Sequence, residues 1–390
     1  MTSGPRGRRI GEGIHLKLVV ALILSAVLAG CAGDLGAAPE PPAKNAGGGL
    51  PMQGGTQPTT PPPFGSHTLQ PAPITPTPAV TVRLYPISEP GCCSRPAWSA
   101  DPGQVVFLDR PSQEAEIGIY GIPIAGGMKR LVTTRVGLYS EDWSLVAYPE
   151  GGDTFVERLS DQRRWLIPSK GRGVVFSRDA SRIAWQAGSL AITNPDRRRD
   201  EIWVAQWDGS GERRLVSVIG GGLIGWAQDD EALIVAGRMR EAGPSGIWRL
   251  PLAKGEGARL LWETPSPRGA LLSPQGGWLA FYQAFSEAVR QNGLYVIRTD
   301  GSQGLRLEKF GSYRWRREGT LLLLPLNLEQ PDAQLWEIDV SRAEQRQLEI
   351  PSPADFRIAD NDWMPSPDGS KVVFVSSEDY ALWILGLPGD

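Results

Sequence analysis

Histidine is nearly absent from this 390-residue chain, and its absence excludes several kinds of active site. The two histidines, His15 and His67, both precede the repeats described below. The repeat region therefore cannot hold a Ser-His-Asp triad, nor a zinc or iron site built on imidazole. The sequence also lacks a G-x-S-x-G motif, a P-loop, and a G-x-G-x-x-G motif at the start of a helix.

Cysteine is scarce too, and the three cysteines predict no disulfide that would hold the fold together. Cys92 and Cys93 are adjacent, and neighbouring Cα atoms lie about 3.8 Å apart, which is below the usual range for a disulfide. We therefore expect two small thiols at these positions rather than a vicinal disulfide. The fold must then be stabilised by packing alone.

An excess of basic residues is also missing. The chain has 40 Lys and Arg against 43 Asp and Glu. The first thirty residues contain four of the basic residues and one of the acidic ones, so the remainder has 36 against 42 and a formal charge of −6. A protein that binds nucleic acid in general needs a basic surface, so we predict no nucleic-acid partner.

The N-terminal segment has the features of an export signal. Basic residues precede an apolar run, Leu18–Leu28, which is too short to span a bilayer comfortably. The run ends in Leu28-Ala29-Gly30-Cys31, which resembles the lipobox of bacterial lipoproteins. This resemblance implies that residues 1–30 are a signal peptide and that Cys31 carries lipid, anchoring the protein on the extracytoplasmic side of a membrane. The alternatives are an ordinary signal peptide and an uncleaved anchor.

Residues 31–79 are rich in Pro, Gly, Ala and Thr and have almost no large apolar side chain. Such a segment cannot bury enough surface to offset its chain entropy, so we predict a disordered linker. Its expected span is on the order of 40 Å, and more where runs of proline stiffen it.

The rest of the chain repeats one pattern: an aromatic or apolar residue, a polar turn, and an alternating strand that follows the turn. Seven copies start at Trp98, Tyr139, Phe176, Trp226, Leu272, Trp315 and Pro365, which are 41, 37, 50, 46, 43 and 50 residues apart. Several short strands in each period of about forty residues are typical of a β-propeller. All fourteen tryptophans lie between Trp98 and Trp383, where wide rings suit the packing between blades.

We therefore predict an all-β, seven-bladed β-propeller of four-stranded blades over residues 80–390. The seventh copy supplies no outer strand before Asp390, whereas Val80–Ile87 resembles the outer strands of the other copies. We expect this N-terminal strand to complete the last blade, since closure removes an exposed sheet edge.

The candidate binding face follows from the strand order. In four-stranded antiparallel blades, the two tight turns of each copy lie on one side of the ring, and connections of variable length lie on the other. Binding groups are commonly presented on variable loops, so we predict the binding face on that second side and at the mouth of the channel. The candidate residues there are Arg197, Arg198, Arg199, Asp200, Arg238, Arg240 and Arg290. The alternative for each is an ordinary solvated surface charge.

Carboxylates are plentiful, as at Glu141-Asp142, Asp229-Asp230-Glu231 and Asp360-Asn361-Asp362. Paired acids can serve glycoside chemistry or bind calcium. Several of them lie at the repeated turn, where an Asp side chain bonds the local backbone, so we interpret them as structural. We predict no catalytic residue, no metal site and no cofactor, with calcium as the first ion to test.

The copy P-S-P-D-G-S-K-V-V-F, from Pro365 to Phe374, resembles the WD-like repeats of TolB-type propellers, as does F-S-R-D-A-S-R-I-A-W from Phe176. The resemblance covers residues 80–390, and the helical N-terminal domain of TolB has no counterpart. It implies an envelope protein whose propeller binds other molecules, often proteins.

We therefore expect a monomeric, lipid-anchored envelope propeller that acts as a non-catalytic binding or scaffold module for an envelope protein or a cell-wall component. One alternative is an envelope hydrolase that acts on glycans through carboxylates and arginines on the loop face. Another is a sensor of a small ligand or of calcium.

Overall fold

The computed structural model describes residues 83–389 apart from 189–193, 266, 284–288, 327–333 and 353. Regular structure in these residues is almost entirely β, with short 3-10 helices at Pro195–Arg197 and Val289–Gln291. The strands in chain order are β1 (Leu84–Pro86), β2 (Ser94–Trp98), β3 (Gln104–Asp109), β4 (Gly118–Pro123), β5 (Arg130–Thr133), β6 (Leu138–Tyr139), β7 (Leu145–Glu150), β8 (Asp153–Arg158), β9 (Arg163–Ile167), β10 (Val174–Phe176), β11 (Arg182–Gly188), β12 (Arg199–Gln206), β13 (Arg213–Trp226), β14 (Ala232–Arg238), β15 (Ser245–Pro251), β16 (Arg259–Glu263), β17 (Pro267–Leu272), β18 (Trp278–Gln283), β19 (Gly293–Arg298), β20 (Gly304–Leu307), β21 (Gly311–Arg317), β22 (Thr320–Pro325), β23 (Leu335–Asp339), β24 (Glu344–Leu348), β25 (Ile358–Pro365), β26 (Lys371–Ser376) and β27 (Leu382–Gly386).

The strands form antiparallel sheets arranged as a propeller, which confirms the predicted all-β propeller fold. Five sheets have four strands each: β2–β5, β6–β9, β17–β20, β21–β24, and β25–β27 with β1. The sixth sheet has seven strands, β10 to β16, so the prediction of separate four-stranded blades throughout is only partly confirmed. The innermost strands contact one another around the ring, as β2 does with β25 and β13 with β17.

The seven-stranded sheet arises because β13 serves two neighbouring groups of strands. Its first half pairs with β12 as far as Ile219, and its second half pairs with β14 from Ile219 to Trp226. Between them lies Gly220-Gly221-Gly222, where the register shifts. Gly220 has φ 68°, and a Cβ on Gly221 would lie 2.2 Å from the Ala236 carbonyl oxygen. Glycines thus let the chain bend here without a separate loop.

The N-terminal strand completes the last sheet, as predicted, although it is shorter than Val80–Ile87. Strand β1 pairs antiparallel with β27, with Tyr85 opposite Ile384. Two bonds extend the ladder: Ile87 N–H donates to the Leu382 carbonyl and Gly386 N–H to the Arg83 carbonyl, both at 2.8 Å. Residues 80–82 lie outside the described part of the chain.

The apolar core of the described residues is divided into clusters, most of which lie between neighbouring sheets, while one lies within the seven-stranded sheet. One cluster joins Trp278 and Val296 to Trp315 and Leu323 across two sheets. The tryptophans that begin the repeats also bond to a neighbouring innermost strand: Trp98, Trp226 and Trp315 donate their indole N–H to the carbonyls of Met364, Val175 and Leu271 at 3.1, 3.1 and 2.9 Å. The expectation that these rings pack between blades is confirmed for these three residues.

The repeated turn is built on serine and aspartate, as the sequence predicts. The Ser177 hydroxyl donates to Asp179 Oδ1 at 2.6 Å, and the backbone N–H of Ser181 donates to the same oxygen at 3.0 Å. Ser140 donates to Asp142 in the same way, and Ser366 to Asp368. These aspartates therefore hold the turn that leads into each second strand.

One local prediction is wrong. Cys92 and Cys93 are joined as a vicinal disulfide, whereas we expected two thiols. Their Cα atoms are 3.7 Å apart, as the expectation assumed. The backbone at Cys93, however, is left-handed, with φ 58°, and this turns the two side chains towards each other.

The described residues include no helix long and apolar enough to cross a membrane. The predicted signal peptide, Cys31 and the linker up to residue 79 lie outside the described residues and remain predictions.

Candidate binding sites

The ring has two different faces. The turns that follow the innermost strands, such as residues 177–181, lie on one side, together with the tight turns before the outer strands, such as residues 207–210; we call this side the turn face. The connections between the second and third strands lie on the other side, which we call the loop face. They include residues 194–198 before β12 and residues 239–244 between β14 and β15.

Six of the predicted residues come together on the loop face, and we call them the arginine-rich loop surface: Arg197, Arg198, Arg199, Asp200, Arg238 and Arg240. Asp200 is fully buried, at 0% exposure, and is therefore not a surface ligand. Its carboxylate lies between Arg198 Nε at 2.9 Å and Arg172 Nη1 at 3.4 Å. A Cβ on Gly188 would lie 1.8 Å from Asp200 Oδ1, so this carboxylate occupies space that only glycine leaves open.

Arg238 also has a structural contact, because its Nη2 donates to the Asp196 carbonyl at 2.8 Å and so braces the loop before β12. Arg197 and Arg240 are exposed, as is Arg199, which forms a surface ion pair with Glu241 at 3.2 Å. Three guanidinium groups therefore face solvent, two on the connections and one at the start of β12, where Asp200 and Arg238 hold the chain in place.

Arg290 is exposed as well, but it belongs to the connection between β18 and β19 in a different sheet. Among the described residues, Arg290 has no contact with the arginine-rich loop surface.

The innermost strands also carry a cluster of charged residues that the sequence analysis identified only in part. Asp362 was noted as one of three neighbouring polar residues, but its partners Arg95 and Arg314 were not. Asp362 Oδ2 accepts the Arg95 backbone N–H at 2.9 Å, which links β25 to β2. Arg314 Nη2 donates to the Asn361 carbonyl at 3.3 Å, which links β21 to β25.

Burial governs the ionisation of this cluster. It raises the pKa of Asp362, against the opposing effect of Arg95, and it lowers the pKa of Arg314. The backbone here is unusual, since Arg95, Asp360 and Asn361 have φ of 54°, 48° and 62° and β25 bulges between Ile358 and Trp363. Strand periodicity gives no sign of such a bulge, which is why sequence reasoning missed the cluster.

On the turn face, a cavity of about 290 Å³ opens among four innermost strands that are neighbours around the ring. We call it the turn-side channel cavity. Its lining is Leu138, Tyr139, Glu141, Val175, Phe176, Ser177, Arg178, Gly225, Trp226, Asp230, Leu272, Ser273, Pro274 and Gly276. These residues belong to β6, β10, β13 and β17 and the turns that follow them, which places the cavity at one end of the central channel.

Asp230 is the buried charge of this cavity. It is 8% exposed, and its Oδ2 accepts the Arg178 backbone N–H at 3.2 Å, while Oδ1 has no hydrogen-bond partner in the described part of the chain. Burial raises the pKa of this carboxyl, and the nearby Arg178 opposes the increase. Arg178 itself is fixed at the rim, because its Nη2 donates to the carbonyls of Gln228 at 2.8 Å and Gln275 at 2.5 Å.

A second cavity, of about 680 Å³, lies on the same face, beside tight turns that belong to β13–β16 and to β17–β20. Its lining includes Asp229 and Arg249, which form an ion pair at 2.5 Å, and Arg259. Glu231 forms an ion pair with Arg182 at 3.4 Å. The three neighbouring acids Asp229, Asp230 and Glu231 therefore have different partners and do not form one site. Among the residues that the structure describes, no group of three or more His, Cys, Asp or Glu could hold a metal ion.

Comparisons with known proteins agree with the architecture. An oligogalacturonate lyase solved in complex with manganese matches with a TM-score of 0.56 and 11% identity, over 79% of this chain and 96% of the lyase. The β-propeller domain of the trilobed protease from Pyrococcus furiosus matches with a TM-score of 0.50 and 14% identity, over 77% of this chain and 97% of that domain. The fold is that of a β-propeller.

TolB from Acinetobacter baumannii is among the matching structures, with 15% identity over 64% of each chain and a TM-score of 0.41. The resemblance to TolB-type propellers is confirmed at the level of the propeller fold, which the strand arrangement and the match to the trilobed-protease propeller show. No protein-family model matches this sequence, and no curated protein matches it. At these identities, the solved structures of other propellers show the fold alone.

Proposed function

We propose that this chain is a lipid-anchored propeller on the extracytoplasmic side of a bacterial membrane and that it binds an acidic envelope protein without catalysing a reaction. The observation that carries the proposal is the arginine-rich loop surface, where Arg197, Arg199 and Arg240 face solvent on braced loops. Arginine suits this task, since its planar group binds carboxylates in pairs and loses little freedom when bound.

Four aspartates with structural partners favour a binding role over a catalytic one. Asp142, Asp179 and Asp368 hold turns, and Asp200 neutralises Arg198 and Arg172. A glycosidase needs two carboxylates that both reach one substrate, and these acids are committed to structural partners instead.

The proposal includes seven blades. The seven-stranded sheet then counts as two blades that share β13, because each half of this strand completes one group of four. The lipid anchor rests on Leu28-Ala29-Gly30-Cys31, and the linker leads directly to β1, where the ring closes.

Crosslinking in living cells with the full-length, Cys31-anchored protein tests the proposal. The test variant changes Arg197, Arg199 and Arg240 to Gln. The matched control changes Arg130, Lys254 and Arg342 to Gln, which removes three exposed charges from the turn face. We expect one discrete protein to be captured by the wild type and by the control, and at least about tenfold less by the test variant.

Three results would contradict the proposal: no captured protein, equal capture by the test variant, or capture of cell-wall fragments in place of a protein. A Cys31→Ser variant checks the lipid anchor. We expect this variant protein to be released from the membrane fraction.

A further inference from the structure

We propose that the turn-side channel cavity is a binding site for a small zwitterion of amino-acid size with an apolar side chain. Asp230 receives the ammonium group and Arg178 the carboxylate. The site lies on the turn face, so it is separate from the arginine-rich loop surface and does not rest on the function proposed above.

The first argument is the unmatched carboxylate. Asp230 is more than nine-tenths buried, lines the cavity, and has an oxygen without a hydrogen bond from any described residue. A buried carboxylate oxygen without a hydrogen bond is costly, and a hydrogen-bond donor supplied by a ligand removes that cost. Rotation of an Asp carboxyl about its terminal torsion is soft, so Oδ1 can turn towards the cavity.

The second argument is the cation at the rim. Arg178 forms its two side-chain hydrogen bonds through Nη2 alone, and both acceptors are neutral carbonyls. Its Nε and Nη1 have no acceptor among the residues that the structure describes. These contacts hold the guanidinium in place without neutralising it, which leaves one edge free for a carboxylate.

The residues that line the cavity determine which ligand side chain it can accept. Leu138, Val175 and Leu272 are apolar. The aromatic residues offer little hydrogen bonding, because the Tyr139 hydroxyl donates to the Arg135 carbonyl at 2.7 Å and the Trp226 indole donates to Val175. An apolar side chain therefore fits these walls better than a polar one.

Size and charge exclude other ligand classes. A volume of about 290 Å³ is at the lower end for small-molecule sites, which suits a single amino acid rather than a polymer. A simple cation would meet Arg178, and a simple anion would meet Asp230 and Glu141. Only a molecule with both charges matches both ends.

Titration calorimetry on the full-length protein tests this inference with three probes. L-leucine carries both charges, leucine amide lacks the carboxylate, and 4-methylpentanoate lacks the ammonium group. We expect L-leucine to bind with a Kd below about 10 mM. Each of the other two probes should bind at least about tenfold more weakly.

The variants are Asp230→Asn and Arg178→Gln, with Asp229→Asn as the control on the same turn. Asp229 faces Arg249 in the second cavity, and Asn keeps the oxygen that accepts the Glu231 N–H at 3.1 Å. We expect either test variant to weaken L-leucine binding at least about tenfold and the control to leave it unchanged. If Asp230→Asn does not fold, Leu138→Trp fills the cavity without touching either charge and should abolish binding.

Absence of L-leucine binding at about 10 mM would overturn the inference. So would equal binding of the three probes, or binding that survives both Asp230→Asn and Leu138→Trp.

Discussion

At the scale of single residues, aspartate at the repeated turn does more than favour a bend. The Ser177 hydroxyl, the largest cause, together with the backbone and hydroxyl of Ser181, lowers the pKa of Asp179 to about 2. The Ser140 hydroxyl likewise lowers the pKa of Asp142. The charged carboxylate accepts these bonds better than the neutral acid does, so the turn links folding to ionisation.

The pH dependence of this link has a definite sign. A carboxyl whose pKa is lower in the folded state stabilises the fold above its unfolded pKa of about 3.9, and this stability is lost as pH falls through the folded value of about 2. We expect a variant with Asp142→Asn and Asp179→Asn to be less stable than wild type at pH 7. The effect is small for each turn, because the carboxylates are solvated.

Urea unfolding at pH 7, 4 and 2 checks this prediction. The difference in free energy of unfolding between wild type and variant should shrink between pH 4 and pH 2. A difference that stays constant over this range would show that the charge is not involved.

At the scale of elements, neighbouring sheets are joined by side chains that bond to backbone across the gap. Arg316 is the clearest case, with 3% of its side chain exposed. It donates to the carbonyls of Gly369 at 2.7 Å and Pro388 at 2.6 Å and forms an ion pair with Glu337. One side chain thereby holds the sheet of β21–β24 to the turn and the last residues of the next sheet.

Removing Arg316 should destabilise the propeller strongly. Arg316→Leu leaves Glu337 buried, although Arg346 still contacts it at 2.5 Å, so we expect a loss of about 3 kcal/mol in the free energy of unfolding. The double variant with Glu337→Leu should recover part of that loss, since the stranded charge is gone.

Chemical denaturation measures both variants. Arg164→Gln, which breaks an exposed pair with Glu150 at 2.7 Å, is the matched control and should cost less than about 1 kcal/mol. An Arg316→Leu variant no less stable than this control would contradict the assignment.

At the scale of the whole molecule, the ring is closed by three residues from the start of the propeller. Strand β1 covers the edge of β27, and Ile87 is buried at 4% exposure beside Val105 and Val373. Closure therefore combines backbone pairing with apolar burial, and it covers the edge of β27.

A truncation pair tests the closure. A chain that starts at Ser88 should lose about 3 kcal/mol or more in stability and should self-associate through the edge of β27. A chain that starts at Arg83 keeps β1 and should behave like the full-length protein. Thermal unfolding and size-exclusion chromatography compare the stability and the self-association of the two truncated chains. Equal stability would show that β1 does not stabilise the propeller.

The sequence predicts the periodic part of this molecule well because periodicity is a local signal. The turns at Ser177 and Ser366 and the closing strand could be predicted, since each repeats a recognisable pattern. The sharing of β13 was missed because three glycines look like a loop in the sequence. The pairings of Arg95 with Asp362 and of Arg178 with Asp230 depend on contacts between copies, which no single repeat encodes.

The long strand β13 also has a mechanical consequence. Strand β13 pairs with β12 along its first half and with β14 along its second, so β10 to β16 form one sheet, whereas the other neighbouring sheets meet through side chains and connecting chain. A pulling force that enters from the linker acts first on β1, whose pairing with β27 is only three residues long. The ring should therefore open at that joint under load, and the two groups of strands joined by β13 should separate last.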